Sequence, residues 1–326
     1  MSAVNGADAS GAVLKYAPVL ILLTILGIFA LLSPRFLTLE NLQAIVTQSS
    51  WLIVVALGAN CVLLSGGVDL SAGSIMYVVA VSVCLWLRQD PVLVTLLAAA
   101  AIGALYGLVN GVLVVRFGVP AFIATLASAF VGRGFGLFVS STKVVFAAPA
   151  VSDLGRARLG VPIPVLIALL GLGAAWLAIR ALPFGRYVLA AGADLEGARR
   201  AGVPTARVLC GVYLVAGLFA GLGAFISVSQ TSSASADFGQ GAEFLAIASA
   251  VLGGTSLYGG RGSLAAPVLG SLLIMTVQNG LALLDVNPYA QPLITGAIIF
   301  VAALLDSVRL RLAARRERRA FVVNGV

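Results

Sequence analysis

The residues of this sequence that could do chemistry are amide and carboxylate side chains set in long apolar runs. Asn60, Asn110, Gln278 and Asn279 lie within such runs. Polar groups in a nonpolar medium cost free energy, so they usually face the interior of a helix bundle or a water-filled path. Amides can exchange hydrogen bonds with the hydroxyl groups of a solute, whereas proton or sodium coupling would need a dense carboxylate relay. The set favours contact with a neutral solute; the alternative for each amide is a hydrogen bond that holds two helices together.

Three charged residues extend this polar set. Asp69 and Glu243 begin apolar runs, and Arg133 lies inside one. Asp69 joins the candidate solute contacts, with a helix cap as its alternative role. Arg133 is the costliest of the three in lipid, and it either reaches the membrane surface or pairs with a carboxylate.

Catalytic groups are scarce. The chain has no histidine, and its three cysteines lie in apolar stretches without a CxxC spacing. A zinc site, a Ser-His-Asp triad and histidine acid–base chemistry are therefore excluded. The glycine-rich stretch 252–263 lacks the lysine of a phosphate-binding loop. We expect no catalytic residue, no metal site and no cofactor bound by this chain.

The composition places these residues in a membrane. Of 326 residues, 60% are hydrophobic and only 10% are charged, against about 25% charged in soluble domains. A bilayer core of ~30 Å needs about 20 apolar residues in a helix. About ten runs of that size follow one another, at 16–32, 43–65, 70–87, 92–115, 119–140, 163–181, 205–229, 243–258, 264–284 and 290–306. The sequence predicts an all-α polytopic membrane protein, a single transmembrane domain over 1–326.

Basic residues predict the orientation of the ten spans. With both termini cytoplasmic, fourteen lysines and arginines fall in inside segments and five in outside segments, as the excess of positive charge in cytoplasmic loops requires. Six of the fourteen lie in the tail 307–326. The net charge of +8 therefore indicates contact with anionic lipid, and no nucleic-acid partner is expected.

A short motif is repeated in two spans. Asn110-Gly111 in the fourth span matches Asn279-Gly280 in the ninth, and a proline follows each at a similar distance. The two spans run in opposite directions, as expected for an inverted repeat. Chance similarity between glycine-rich apolar helices is the alternative.

The predicted cytoplasmic loop 182–204 contains a short helix bounded by Gly192 and Gly202. Asp194 and Glu196 lie in its first turn and two arginines follow near its end, which complements a helix dipole. This short helix is either a docking element or an interfacial connector between two spans.

Several ordered motifs carry a family resemblance over nearly the whole chain. They are 32–42, the stretch Leu64–Gly73 around Gly-Gly-Val-Asp-Leu-Ser, Gly107–Gly111 with 119–125, and 247–263. With the loop 182–204, the chain resembles the ribose-type family of monosaccharide permeases of ATP-binding cassette importers. It departs at Gly58-Ala59-Asn60, where similar permeases often have Gly-Met-Thr, and in the loop at Asp194 and Gly197.

The resemblance implies roles for two groups of residues. The residues implied to couple to the ATPase are Gly192, Ala193, Asp194, Glu196, Ala198, Arg199, Arg200 and Gly202. Those expected along the translocation path are Asn60, Asp69, Asn110, Phe122, Thr125, Gln278 and Asn279.

The resemblance also implies the partners and the location. The partners are an ATPase subunit with two cassettes, which binds ATP and magnesium, a periplasmic sugar-binding protein and a second permease copy, in the bacterial inner membrane. The implied function is ATP-driven import of a monosaccharide or cyclic polyol by alternating access. A branched-chain amino-acid permease, a secondary transporter and an integral-membrane enzyme are the alternatives.

Overall fold

A computed structural model describes residues 2–297, 300–301 and 304, with side chains described from residue 17 onward. The basic tail 307–326 lies outside the described residues, as does part of the expected span 290–306, of which residues 291–297 are helical. The regular secondary structure of the described chain is almost all helical, as the sequence predicts.

Up to residue 283, the α-helices are α1 (Ser2–Leu32), α2 (Leu39–Leu64), α3 (Ala72–Leu85), α4 (Val92–Arg116), α5 (Ala121–Ser140), α6 (Pro149–Arg156), α7 (Ile163–Trp176), α8 (Pro183–Ala193), α9 (Leu195–Arg200), α10 (Thr205–Thr231), α11 (Ala242–Leu252) and α12 (Ala265–Leu283). A π-helical turn, Leu177–Ala181, continues α7. Antiparallel pairs join β1 (Val145–Phe146) to β4 (Ser233–Ala234), and β2 (Arg158–Leu159) to β3 (Val161–Pro162).

Six helices of the described part are long and apolar enough to cross a membrane: α2, α4, α5, α7 with its π-helical turn, α10 and α12. The apolar part of α1, Ala17–Leu32, and helices α3 and α11 are shorter. The expected span 243–258 is helical only to Leu252, because Gly254, Gly259 and Gly260 adopt positive φ angles of 105°, 85° and 69° that end helical structure. The count of ten spans stays a prediction.

The described chain divides into two compact units, 43–272 and the combination of residues up to 42 with those from 273 onward. In the first, α10 packs along α4 through small residues. A Cβ atom added at Gly107 would overlap the Tyr213 carbonyl oxygen, and one at Gly103 would overlap that of Gly217. Glycines at i and i+4 let helix backbones approach closely where lipid provides no hydrophobic driving force. In the second unit, Phe29 stacks on Phe36 with ring centroids 5.4 Å apart, and Gly280 packs against the Phe29 ring.

Candidate functional site

The short helix predicted in loop 182–204 is α9, and it is preceded by a separate helix, α8. Asp194 is the N-cap residue: its Oδ1 accepts hydrogen bonds from the N–H groups of Glu196, at 3.1 Å, and Gly197, at 3.0 Å. Gly192 and Ala193 therefore end α8 instead of beginning α9. Gly202 follows α9 with a φ of 83°, which a residue with a side chain rarely adopts.

The charged side chains of α9 are exposed. Glu196 pairs with Arg199 at 3.5 Å and with Arg200 at 3.3 Å, and the side chains are 57–79% accessible. Exposed pairs of this kind contribute about 0–1 kcal/mol to stability. Their stabilisation of the helix is therefore small, and their charges remain accessible at the protein surface. Ala198 is the buried residue of α9 and fixes which face of the helix points outward.

The loop is joined to the end of α2 by glycine contacts. A Cβ atom at Gly192 would overlap the Leu64 carbonyl oxygen and would lie 2.7 Å from the Gly260 nitrogen. The Gly260 N–H donates to that same carbonyl oxygen at 3.0 Å. A Cβ atom at Gly259 would lie 2.6 Å from the Gly192 carbonyl oxygen and 2.7 Å from the Gly66 Cα. We call Gly66, Gly192, Gly259 and Gly260 the glycine junction; it brings three separate segments into backbone contact.

Asn60 lies near the end of α2 and is fully buried. Its Oδ1 accepts a hydrogen bond from the Thr255 hydroxyl at 2.6 Å, and its Nδ2 donates to the Ser263 carbonyl oxygen at 3.3 Å. Both ends of the amide therefore hold the turn-rich segment 253–264. The amide thus holds a non-helical segment, whereas the alternative left open by the sequence was a hydrogen bond between two helices.

Asp69 and Asn110 are brought together by Ser71, which sequence reasoning missed. Asp69 Oδ1 accepts from the Ser71 N–H at 2.8 Å and from its hydroxyl at 2.6 Å. Asn110 Nδ2 donates to the Ser71 Oγ at 2.8 Å. All three are buried, and Asn110 Oδ1 is without a hydrogen-bond partner among the described residues. Asp69 thus orders the turn before α3, and α4 is tied to that turn.

The remaining candidate path residues are dispersed. Thr125 is buried and its hydroxyl donates to the Ala121 carbonyl oxygen of its own helix at 2.8 Å. Phe122 is 55% exposed. Gln278 and Asn279 are half-buried and belong to the other unit, where Asn279 Oδ1, like Asn110 Oδ1, has no partner within the described chain.

Arg133 does not form an ion pair with a carboxylate among the described residues, and its reach to the membrane surface stays a prediction. Its Nη1 donates to the carbonyl oxygens of Ala236 at 3.2 Å and Phe238 at 2.8 Å, and its guanidinium carbon lies 4.8 Å from the Tyr77 ring centroid. In the same segment the Ser235 hydroxyl donates to Asp237 Oδ1 at 2.5 Å. This hydrogen bond lowers the pKa of Asp237 below its ordinary value.

Comparison with known proteins gives one consistent family. The family described as "Branched-chain amino acid transport system / permease component" matches residues 41–303. The ribose import permease protein of Escherichia coli is 37% identical over 293 residues, covering 88% of this chain and 91% of the relative. No solved structure matches the chain significantly.

Two further relatives are also sugar permeases by name. The D-allose transport system permease protein of Escherichia coli is 33% identical over 297 residues, covering 90% of this chain and 91% of the relative. The galactose/methyl galactoside import permease protein of Haemophilus influenzae is 33% identical over 314 residues, covering 89% of this chain and 93% of the relative. These relatives are transporter subunits, not enzymes.

The six apolar helices and these relatives agree on a multi-pass protein of the bacterial inner membrane. The family match covers most of the chain, and each relative covers nearly all of its own length. The chain belongs to the ribose-type family of sugar permeases of ATP-binding cassette importers.

Proposed function

We propose that this chain is the membrane-spanning subunit of an ATP-driven, binding-protein-dependent importer of a monosaccharide or cyclic polyol. Membership in a family that includes ribose, allose and galactose permeases supports the sugar class. A separate ATPase subunit with two cassettes binds ATP and magnesium. A periplasmic sugar-binding protein delivers the solute, and a second permease copy completes the path.

The observation that carries ATP coupling is the exposed helix α9 and its attachment to α2. The Asp194 cap gives α9 a defined start, and Arg199 and Arg200 are exposed at its end. The glycine junction joins the preceding residues to the Leu64 carbonyl oxygen. Contact between backbones leaves little room for relative motion. A displacement of loop 182–204 by the ATPase would therefore move the end of α2.

The same proposal includes the path and its topology. Ten spans with cytoplasmic termini form one transmembrane permease domain over 1–326, in which inverted halves alternate between inward- and outward-open states. Among the described residues, Asn110 and Asn279 each have a buried amide oxygen without a hydrogen-bond partner, which supports equivalent positions in the two halves. Asn60 and Asp69 shape the path through hydrogen bonds to Thr255 and Ser71, and Phe122, Thr125 and Gln278 are its further candidates.

Uptake in proteoliposomes tests this proposal. The chain is reconstituted with its ATPase and binding protein, and uptake of D-ribose, D-allose and D-galactose is measured with and without ATP. We expect ATP-dependent uptake of at least one sugar by the wild type. Gly192→Val, which forces the glycine junction apart, should abolish it. Gly173→Val is the matched control, because no atom of the described residues lies within 4 Å of a Cβ atom at Gly173.

Three results would contradict the proposal. Uptake that persists without ATP would indicate a secondary transporter. Uptake of leucine instead of any sugar would indicate the amino-acid branch of the family. Full ATP-dependent uptake by Gly192→Val would remove the coupling role of the loop.

A further inference from the structure

A cavity of about 450 Å³ lies beside Arg133, within the unit 43–272. It is bordered by the start of α3, the middle of α5 and the segment that leads into α11. Its volume falls in the range of roughly 300–1,000 Å³ that is typical of small-ligand pockets. None of the candidate path residues from the sequence lines it.

Short helices build this cavity. Helix α3 has 14 residues and α11 has 11, which at 1.5 Å per residue is less than a ~30 Å hydrocarbon core. Their first turns meet, because a Cβ atom at Gly73 would overlap Glu243 Oε2. The segment before α11 borders the cavity through Ala236, Gln240 and Gly241.

The guanidinium of Arg133 is held in place at the cavity. Two backbone carbonyl oxygens accept from its Nη1, and the Tyr77 ring lies against it. Both hydrogen bonds are donated by Nη1. Within the described chain, the N–H groups of Nε and Nη2 therefore remain available to a ligand. An arginine within a 20-residue apolar helix is costly in lipid, and such residues usually mark a functional site.

The other polar groups at the cavity complement this donor. Glu243 supplies carboxylate acceptors and Gln240 supplies an amide that both donates and accepts. Arg133 and Glu243 do not form an ion pair with each other in the part of the chain that the structure describes. The lining therefore offers both donors and acceptors to a ligand. Separate donors and acceptors suit hydroxyl groups, which do both.

Two aromatic rings complete the lining. Phe130 and Phe244 border the cavity and are 72% and 63% exposed. An aromatic face can cover the C–H face of a sugar ring while the hydroxyl groups bond polar side chains at its edge. Together these observations favour a neutral polyhydroxylated ring over a lipid chain, because a lipid chain has no groups that could hydrogen-bond to Arg133, Gln240 and Glu243.

We infer that this cavity is a monosaccharide-binding station on the path through the permease, with Arg133, Gln240 and Glu243 at the hydroxyl groups and Phe130 and Phe244 at the ring. The inference rests on the proposed sugar-import function. It places solute recognition around α5 and α11, whereas Asn60 and Asp69 support the backbone nearby.

Thiol labelling of the full-length permease in nanodiscs tests the cavity without any partner. Cys61, Cys84 and Cys210 are first replaced by alanine, and a single cysteine is introduced by Ala129→Cys, in the cavity lining, or by Gly134→Cys. Gly134 is the matched control because it lies on the same helix and is exposed. In the part of the chain that the structure describes, no atom lies within 4 Å of its Cβ position. The reagent is a charged, membrane-impermeant methanethiosulfonate.

We expect Ala129→Cys to react about tenfold faster than Gly134→Cys, because the reactive thiolate forms in water and not in lipid. D-ribose, D-allose or D-galactose should slow labelling of Ala129→Cys only. Equal rates at the two positions would mean that lipid or protein fills the cavity. Protection by none of the three sugars, or by leucine instead, would also overturn the inference.

Transport by two cavity variants separates this inference from the proposed function. In the complete importer, Phe244→Ala and Gln240→Ala should each lower sugar uptake roughly tenfold, while the ATPase activity stimulated by loaded binding protein is retained. Phe138→Ala, on the same helix as Phe130 and 84% exposed, should leave uptake unchanged. Unchanged uptake in both cavity variants refutes the station but not the importer. A wild type without ATP-dependent sugar uptake refutes the importer itself.

Discussion

Replacing Asn60 and Thr255, singly and together, measures how firmly the segment 253–264 is held. Both side chains are buried, at 0% and 3% exposure, and their hydrogen bond is 2.6 Å long. Hydrogen bonds between helices in membrane proteins contribute about 0.6 kcal/mol on average and at most about 1.7. A short, buried bond should lie in the upper half of that range. We expect a coupling energy of about 1–1.5 kcal/mol, which is about 5- to 13-fold in the unfolding equilibrium.

The two single variants should differ in how strongly they destabilise the protein. Thr255→Val keeps the shape of the side chain and should cost about 1 kcal/mol. Asn60→Ala also loses the bond to the Ser263 carbonyl oxygen and leaves a cavity, so it should cost about 2–3 kcal/mol.

The assay is reversible unfolding by SDS in mixed micelles, followed by circular dichroism and analysed as a double-mutant cycle. Thr95→Val is the matched control, because Thr95 is buried and its hydroxyl donates within its own region, to the Pro91 carbonyl oxygen at 3.3 Å. Its effect should add to that of Asn60→Ala within about 0.3–0.5 kcal/mol. A coupling energy between Asn60 and Thr255 below that limit would refute the assigned role of the amide.

Two further predictions concern the loop and the helix pair. Asp194→Ala removes the cap of α9, so it should destabilise that helix by about 1 kcal/mol and reduce ATP-dependent uptake. Asp194→Asn, an equally good cap, should retain uptake. Equal activity of the two variants would contradict the capping argument. Gly107→Leu forces α4 away from α10, where even a Cβ atom meets the Tyr213 carbonyl oxygen. It should destabilise the fold by about 3 kcal/mol or more, at or above the upper end of the usual cost of overpacking. Gly173→Leu, with open space at its Cβ position, is the control, measured by the loss of monodisperse protein on heating; an equal loss in both variants would refute the packing argument.

Local sequence patterns predicted the elements better than their partners. Apolar runs predicted α2, α4, α5, α10 and α12 to within a few residues, because each run is long enough for one helix and is followed by polar, charged, glycine or proline residues. The run 243–258 was misleading, since hydropathy does not register the positive φ angles of its glycines.

The candidate site was predicted only in part for a related reason. Asp194 and the arginines of α9 lie within seven residues of each other, so a local pattern showed their arrangement. Asn60 and Thr255 are 195 residues apart, and Arg133 and the Phe238 carbonyl oxygen are 105 apart. No local pattern reports such pairs. The signal that could have identified the cavity was the cost of Arg133 in an apolar helix, which demands partners without naming them.

The glycine junction has a consequence for mutational scanning. Alanine scanning finds important contacts by removing atoms, but at Gly192, Gly259 and Gly260 there is no side chain to remove, and alanine adds a methyl group where backbone atoms already touch. Truncating the neighbouring side chains would leave this contact intact. Loss of coupling in such a scan would therefore appear only where the substitution enlarges the residue. The connection between the loop and α2 would be found by replacing these glycines with larger residues.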